Sequence, residues 1–214
     1  MSASWDWPGS RWWRVDLHTH SPASYDFKPD ADRLAKDWAA WVSAAKSAGL
    51  HAVALTDHNT AQGVDALRQA AAAVTGAPVI LPGVEITASD GTHLLLVLDS
   101  SCTQQHVEEF LTRAEIPVDQ RGTQMARSPL SVEQILNLEC PRGVILAAHV
   151  NGQAGLLEHD GQQRIAELRH RGLAGVEIDP TRGLDPTWLD GSRREIARVI
   201  PQIWCSDSHA FDEA

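Results

Sequence analysis

One pattern constrains this chain more than any other: short apolar runs, too short for helices, that end in a histidine or an acid. Val15-Asp16-Leu17-His18-Thr19-His20 is the first, and Ala52-Val53-Ala54-Leu55 runs into Thr56-Asp57-His58-Asn59. The segments Gly143 to His149, Gly175 to Asp179 and Ile203 to His209 repeat the arrangement. Val79-Ile80-Leu81 and Val84-Glu85-Ile86 read as a strand region interrupted at Pro82-Gly83. Bounded apolar runs of this length are the mark of buried strands. Stretches 31–48, 61–74, 103–113, 131–138, 162–170 and 192–199 between them read as helices. About seven strands alternating mostly with helices predict an α/β fold with a mainly parallel sheet. In a closed α/β barrel the C-terminal strand ends meet on one face, so the histidines and acids of this chain would converge.

Side chains two apart on a strand leave the same face, so His18 and His20 can reach one point in space. Two such imidazoles make half of a transition-metal site. Glu85 lies between apolar neighbours, where an unpaired carboxylate is costly and a metal or an arginine would relieve the cost. His93 alone precedes its strand, His93 to Leu98, across an Asp90-Gly91 turn. A two-residue loop pairs 88 with 93 and puts His93 opposite the Glu85 face, whereas a three-residue loop pairs 87 with 93 and brings it to that face. Both registers are open at this level. The polar stretch between 113 and 131 is the candidate mobile loop.

Composition narrows the partners. A net charge of -10 over 214 residues shows no broad basic footprint for nucleic acid, although bound divalent cations would offset it. A small nucleotide or a strand end stays compatible. Three cysteines without CxxC spacing argue against a disulfide framework or a zinc knuckle and suit a reducing cytoplasm. No signal peptide is visible, and no apolar run reaches the ~20 residues that span a bilayer. The cluster Trp5, Trp7, Trp12 and Trp13 reads as a capping segment that closes one end of a single domain, in preference to a base-stacking platform.

Six segments, in order, carry a resemblance: Asp16-Leu-His-Thr-His-Ser21, Leu55-Thr-Asp-His-Asn59, Pro82-Gly-Val-Glu-Ile-Thr87, Gly91-Thr-His-Leu94, Ala147-Ala-His149 and Ser206-Asp-Ser-His209. Together they resemble the PHP (polymerase and histidinol phosphatase) family of metal-dependent phosphoesterases and span nearly the whole chain. The resemblance implies a distorted (β/α)7 barrel with up to three divalent metals at the C-terminal strand ends. It implies one metal on His18, His20, Glu85 and Asp207, and a second on His93 and His149, bridged by Glu85. A third would take Asp26, His58 and His209. Tyr25 is an extra residue between Ser24 and Asp26 relative to the usual spacing. His149 is followed by Val-Asn-Gly where many members have proline, a form similar to the PHP module at the front of long bacterial ATPase-like proteins. With only five residues after His209, the expectation is the N-terminal fragment of a longer protein with an ATPase-like C-terminal region.

Imidazole and carboxylate ligands without thiolate suit Mn, Fe or Zn. Two or three such ions could share a hydroxide and clamp phosphoryl oxygens, so the expected reaction is hydrolysis of a phosphate ester. The substrate would be a phosphorylated small molecule or a nucleic-acid end. Glu85 and Asp207 carry the metals in this reading. Asp57 either orients a ligand or shuttles a proton, or is a structural strand-end residue. Arg182 either binds substrate phosphate or makes a surface salt bridge. His51, His106, His159 and His170 read as surface or packing residues, and Cys205 has no adjacent base to make it a nucleophile. Two other classes compete: a metal-binding structural module that supports a partner domain, and a metal-dependent amidohydrolase.

Overall fold

The computed structural model describes residues 12–28 and 37–210. Seven strands lie side by side in chain order: β1 (Val15–Thr19), β2 (Ala52–Leu55), β3 (Val79–Thr87), β4 (His93–Leu98), β5 (Gly143–Ala147), β6 (Leu173–Glu177) and β7 (Gln202–Ile203). The pairs β1–β2, β2–β3, β5–β6 and β6–β7 are parallel, and β4 runs antiparallel to both of its neighbours. The start of β4 therefore lies where the other strands end, which is why His93 can precede its strand and still join them. The sheet curls into a distorted barrel. Its edges meet where Asp207 N donates to His18 O at 3.0 Å and His20 N donates to Ser208 O at 3.0 Å. The buried Asp16 carboxylate draws the same segment in by accepting from Ser206 N at 3.3 Å.

Apolar alternation divides the interior. Ala54, Leu95, Val97, Leu146 and Ala148 fill the barrel. The opposite strand faces bury Val53, Leu55 and Ile80 under α1 (Trp38–Ser47) and α2 (Val64–Ala72). Val84, Ile86, Leu94 and Leu96 pack with residues of α3 (Gln104–Arg113), α4 (Val132–Leu136) and α5 (Gly161–Arg169), including Phe110, Ile135 and Leu168. Local signals start these helices: Asp37 caps α1 through Ala40 N, and Ser131 with Gln134 forms a capping box on α4.

Several sequence expectations need correction. Pro82-Gly83 does not interrupt β3. The ladder hands over there, residues 79–82 pairing with β2 and 83–87 with β4. A Cβ on Gly83 would lie 2.5 Å from Leu96 O and 3.0 Å from Leu55 O, so only glycine lets both neighbours approach. The stretch 192–199 is not a helix. Asp190 Oδ1 takes Ser192 N, Ala197 adopts φ 55°, and Asp190 bridges Val199, so side chains and turns claim the backbone groups a helix would use. Trp5 and Trp7 lie outside the described residues. Trp12 is 94% exposed, and Trp13, edge-on to His51, is 57% exposed, so neither is buried against an end of the barrel. The stretch expected as a mobile loop is tied down. Arg121 pairs with Glu108, Ser128 N donates to Thr87 O at 2.9 Å, and Ile116 and Ala126 are buried.

Candidate metal centre

All nine residues expected as ligands meet at the C-terminal mouth of the barrel. In β1, three residues from Asp16 to Thr19 face two in β2 from Val53 to Leu55. That extra residue is a bulge, and it turns His18 inward beside Leu17, which already packs in the barrel interior. His20 follows two residues on. Thr87 pairs with His93 and Ala88 N donates to Thr92 O at 2.8 Å, so the three-residue loop is the one adopted and His93 shares the Glu85 face. His149 and Asp207 close the ring from positive φ, 26° and 50°. Non-glycine residues held in that region are a form of strain that gathers at functional sites.

The ligand-type atoms fall into nested sets around Glu85, which is 1% exposed. His18 Nε2 lies 3.1 Å from Glu85 Oε2, 3.2 Å from Asp207 Oδ1 and 3.2 Å from His20 Nε2. His20 Nε2 lies 3.3 Å from both Glu85 Oε2 and Asp207 Oδ1. Five of the six edges of a tetrahedron are thus nearly equal. A tetrahedron with edges of about 3.2 Å has its vertices about 2.0 Å from its centre, the length of a metal bond to nitrogen or oxygen. The second set uses the other oxygen: Glu85 Oε1 is 2.6 Å from His93 Nδ1 and 3.4 Å from His149 Nε2. Glu85 Oε1 and His93 Nδ1 are buried and make no hydrogen bond, although they face each other. Orphaned atoms at that distance fit ligands aimed at a common cation. In the third set, Asp26 Oδ2 lies 3.0 Å from His58 Nε2 and 3.1 Å from His209 Nδ1. His58 also turns Nδ1 to Glu85 Oε2 at 3.1 Å, so it stands between two sets where the resemblance had placed it in one.

The electrostatics carry the same message. Burial alone would raise the Glu85 carboxyl, yet the charges of His18 and His93 hold it well below the usual carboxylate range. Asp26 and Asp207 are depressed likewise, against burial, by His209 and His58 for the first and by His20 and His209 for the second. The imidazoles respond in the opposite sense. Burial disfavours their charge, but Glu85 and Glu177 raise His18 well above its ordinary value, and Asp207 with Asp26 pushes His209 up to about 10. Three clustered carboxylates demand positive charge, and protons on histidine supply it wherever a cation does not.

Other residues are less direct. Asp57 is fully buried and does not line the cavity. It accepts from Ser21 N at 2.6 Å and Ser21 Oγ at 2.7 Å, and burial pushes its carboxyl up to about 6 despite those bonds. Arg182 makes the expected salt bridge, through Nε to Asp179 at 3.0 Å, and also lines the cavity above the histidines, whose volume is ≈ 450 Å³. Tyr25, the extra residue, stands at the rim with its ring 5.2 Å from that of His58. Burial and the Glu177 charge push the Cys205 thiol up, which removes it as a nucleophile. His51, His106 and His170 make local hydrogen bonds, to Arg14 N, Thr103 and Gly172 N. His159 sits in a network with Thr92 and Glu167 that fastens α5 to the β3–β4 turn. Sequence reasoning missed Glu177. It is 3% exposed, and His18 Nδ1 donates to its Oε2 at 2.7 Å. The signal was present: a carboxylate inside the apolar run Gly175-Val-Glu-Ile178, as at Glu85.

No family model and no curated protein matches this chain. Solved structures do. The lesion-specific endonuclease Q of Pyrococcus furiosus superposes with a TM-score of 0.66 at 18% identity, over 93% of this chain and 49% of that one. A Bifidobacterium adolescentis protein assigned as a metal-dependent phosphoesterase gives 0.56 at 20% identity, over 94% and 89%. Endonuclease Q bound to a 27-mer duplex with an abasic lesion at its active site gives 0.61 at 18%, over 92% and 49%. The chain thus shares the fold of these proteins. It spans about half the length of the endonuclease Q chains it matches.

Proposed function

We propose that this chain hydrolyses a phosphate ester with two to three divalent ions, Mn, Fe or Zn, held at the mouth of the barrel. The observation that supports this best is Glu85, which offers one oxygen to the His18–His20–Asp207 set and the other to His93 and His149. Bound ions would supply an activated water and neutralise charge on the phosphoryl group. The chain's own residues do the rest. His18, His20, Glu85 and Asp207 hold the first position, Glu85, His93 and His149 the second, and Asp26, His58 and His209 the third. Arg182 has its Nε committed to Asp179, which leaves its terminal nitrogens to receive a phosphate oxygen. Asp57 acts through Ser21 by fixing the loop that follows His20. Buried apolar walls below Glu85 keep bulk water from its carboxylate.

The likeness to endonuclease Q favours a nucleic-acid substrate over a phosphorylated small molecule, and the net charge of -10 favours a strand end over a long duplex footprint. All three cysteines are free, in keeping with a reducing cytoplasm, and among the described residues no helix is long and apolar enough to cross a membrane. An ATPase-like partner region remains part of the proposal. The test is metal analysis on protein purified without chelator, paired with manganese-dependent hydrolysis of a generic phosphodiester and a phosphomonoester. Two or three ions per chain with turnover would support the reading, and the preferred ester separates nuclease from phosphatase. Bound ions without turnover on either ester would favour the structural module, and hydrolysis of amides alone the amidohydrolase.

A further inference from the structure

Glu177 ends β6 and is buried, yet it lines no part of the cavity. Its Oε2 accepts two bonds at once, from His18 Nδ1 at 2.7 Å and from His149 N at 2.9 Å. Its backbone oxygen also accepts Val150 N at 2.8 Å. One residue therefore grips a histidine of the first set and the strained backbone of a histidine in the second. We infer that Glu177 is a positioning residue that sets both metal positions together, through the His18 ring and the His149 main chain. This rests on the metal-dependent reading above.

The physical argument has two parts. A carboxylate can only accept, so Nδ1 of His18 must carry the proton and the Nε2 lone pair is free to face Glu85 and Asp207. The bond fixes the ring's tautomer and orientation and raises the basicity of Nε2. His149 is the second part. Its φ of 26° is costly for a residue with a Cβ, and the bond from its N–H helps hold the turn that directs its side chain to Glu85. Partners of this kind typically change metal affinity by about 10–100-fold when removed.

The experiment is a manganese titration against a chromophoric chelator on the unmodified protein, Glu177→Gln, Glu177→Ala and Glu167→Gln. Glu167 is an equally buried carboxylate whose side chain touches none of the nine expected ligands, so its variant reports what losing a buried acid does by itself. Glu177→Gln keeps an oxygen for both bonds and removes only the charge. Roughly tenfold weaker binding is expected for it and up to roughly 100-fold for Glu177→Ala, affecting more than one ion, with Glu167→Gln unchanged. Nitrogen NMR of metal-free protein, at a pH high enough that the His18 ring is neutral, gives an independent readout: Nδ1 carries the proton in the unmodified protein and in Glu177→Gln, and the tautomer is mixed in Glu177→Ala. Folded Glu177 variants with unaltered affinity, or an equal loss in Glu167→Gln, would overturn the inference alone. An unmodified protein that binds no manganese would overturn the metal-dependent reading and this inference with it.

Discussion

Replacing Glu85 by glutamine tests the bridge by counting ions. The two carboxylate oxygens belong to different sets: Oε2 lies 3.1 Å from His18 Nε2 and 3.3 Å from His20 Nε2, and Oε1 lies 2.6 Å from His93 Nδ1. An amide offers one oxygen as a ligand. Its nitrogen has no free lone pair and would present N–H groups to the other set. Whichever way the amide settles, one position loses its carboxylate ligand. Metal content after dialysis against excess manganese should fall by one ion per chain, with the remainder bound. Stability measures the same loss, since an ion present at 100 times its dissociation constant stabilises by about 2.7 kcal/mol. For a chain of this size that corresponds to roughly 5–11 °C in Tm, at about 2–4 °C per kcal/mol. The metal's share is the part of that Tm difference that disappears when both proteins are stripped with chelator at the same pH. Full metal content in a folded Glu85→Gln protein would refute the bridge. Loss of every ion would show that the positions fill only together.

Three further perturbations follow. In chelator-treated protein, His209 has its pKa raised to about 10, so its contribution to stability is complete below pH ~6.5 and lost as pH rises through about 10. His18 and His20 act in the same direction, so Tm of the stripped protein should fall between pH 7 and 10.5, and bound metal should abolish the fall. Gly83→Ala should cost about 1–3 kcal/mol by chemical denaturation, because the new methyl meets the Leu96 and Leu55 carbonyls. It should also weaken metal binding, since Glu85 is two residues on along the same face, and a variant as stable as the parent would contradict the close approach. Arg182→Ala should lower kcat/KM by roughly 10–100-fold, the worth of a charge-assisted hydrogen bond of about 1.5–3 kcal/mol. Metal content should be unaltered, and unchanged kinetics would leave Arg182 as only the partner of Asp179.

Much of the site was legible in the chain because its chemistry is local to strand ends. A histidine placed directly after an apolar run must emerge at the mouth of a barrel if the run is a strand, whatever the rest of the chain does. His18, His20, His58, His149 and Asp207 were found on that ground, and Glu85 by the cost of burying a lone carboxylate. The tertiary structure decided what local periodicity leaves free. It chose the turn that brings His93 to the Glu85 face, because β4 runs against its neighbours and has its start at the mouth. It placed a bulge in β1 that turns His18 inward, and it let β3 run through Pro82-Gly83 by changing partner there. It left 192–199 without a helix and tied down the stretch before 131, through bonds between residues distant in sequence. Glu177 shows the boundary between the two. Its burial could be read from Gly175-Val-Glu-Ile178, but its hold on His18 spans 159 positions, and only the curling of the sheet brings them within 2.7 Å.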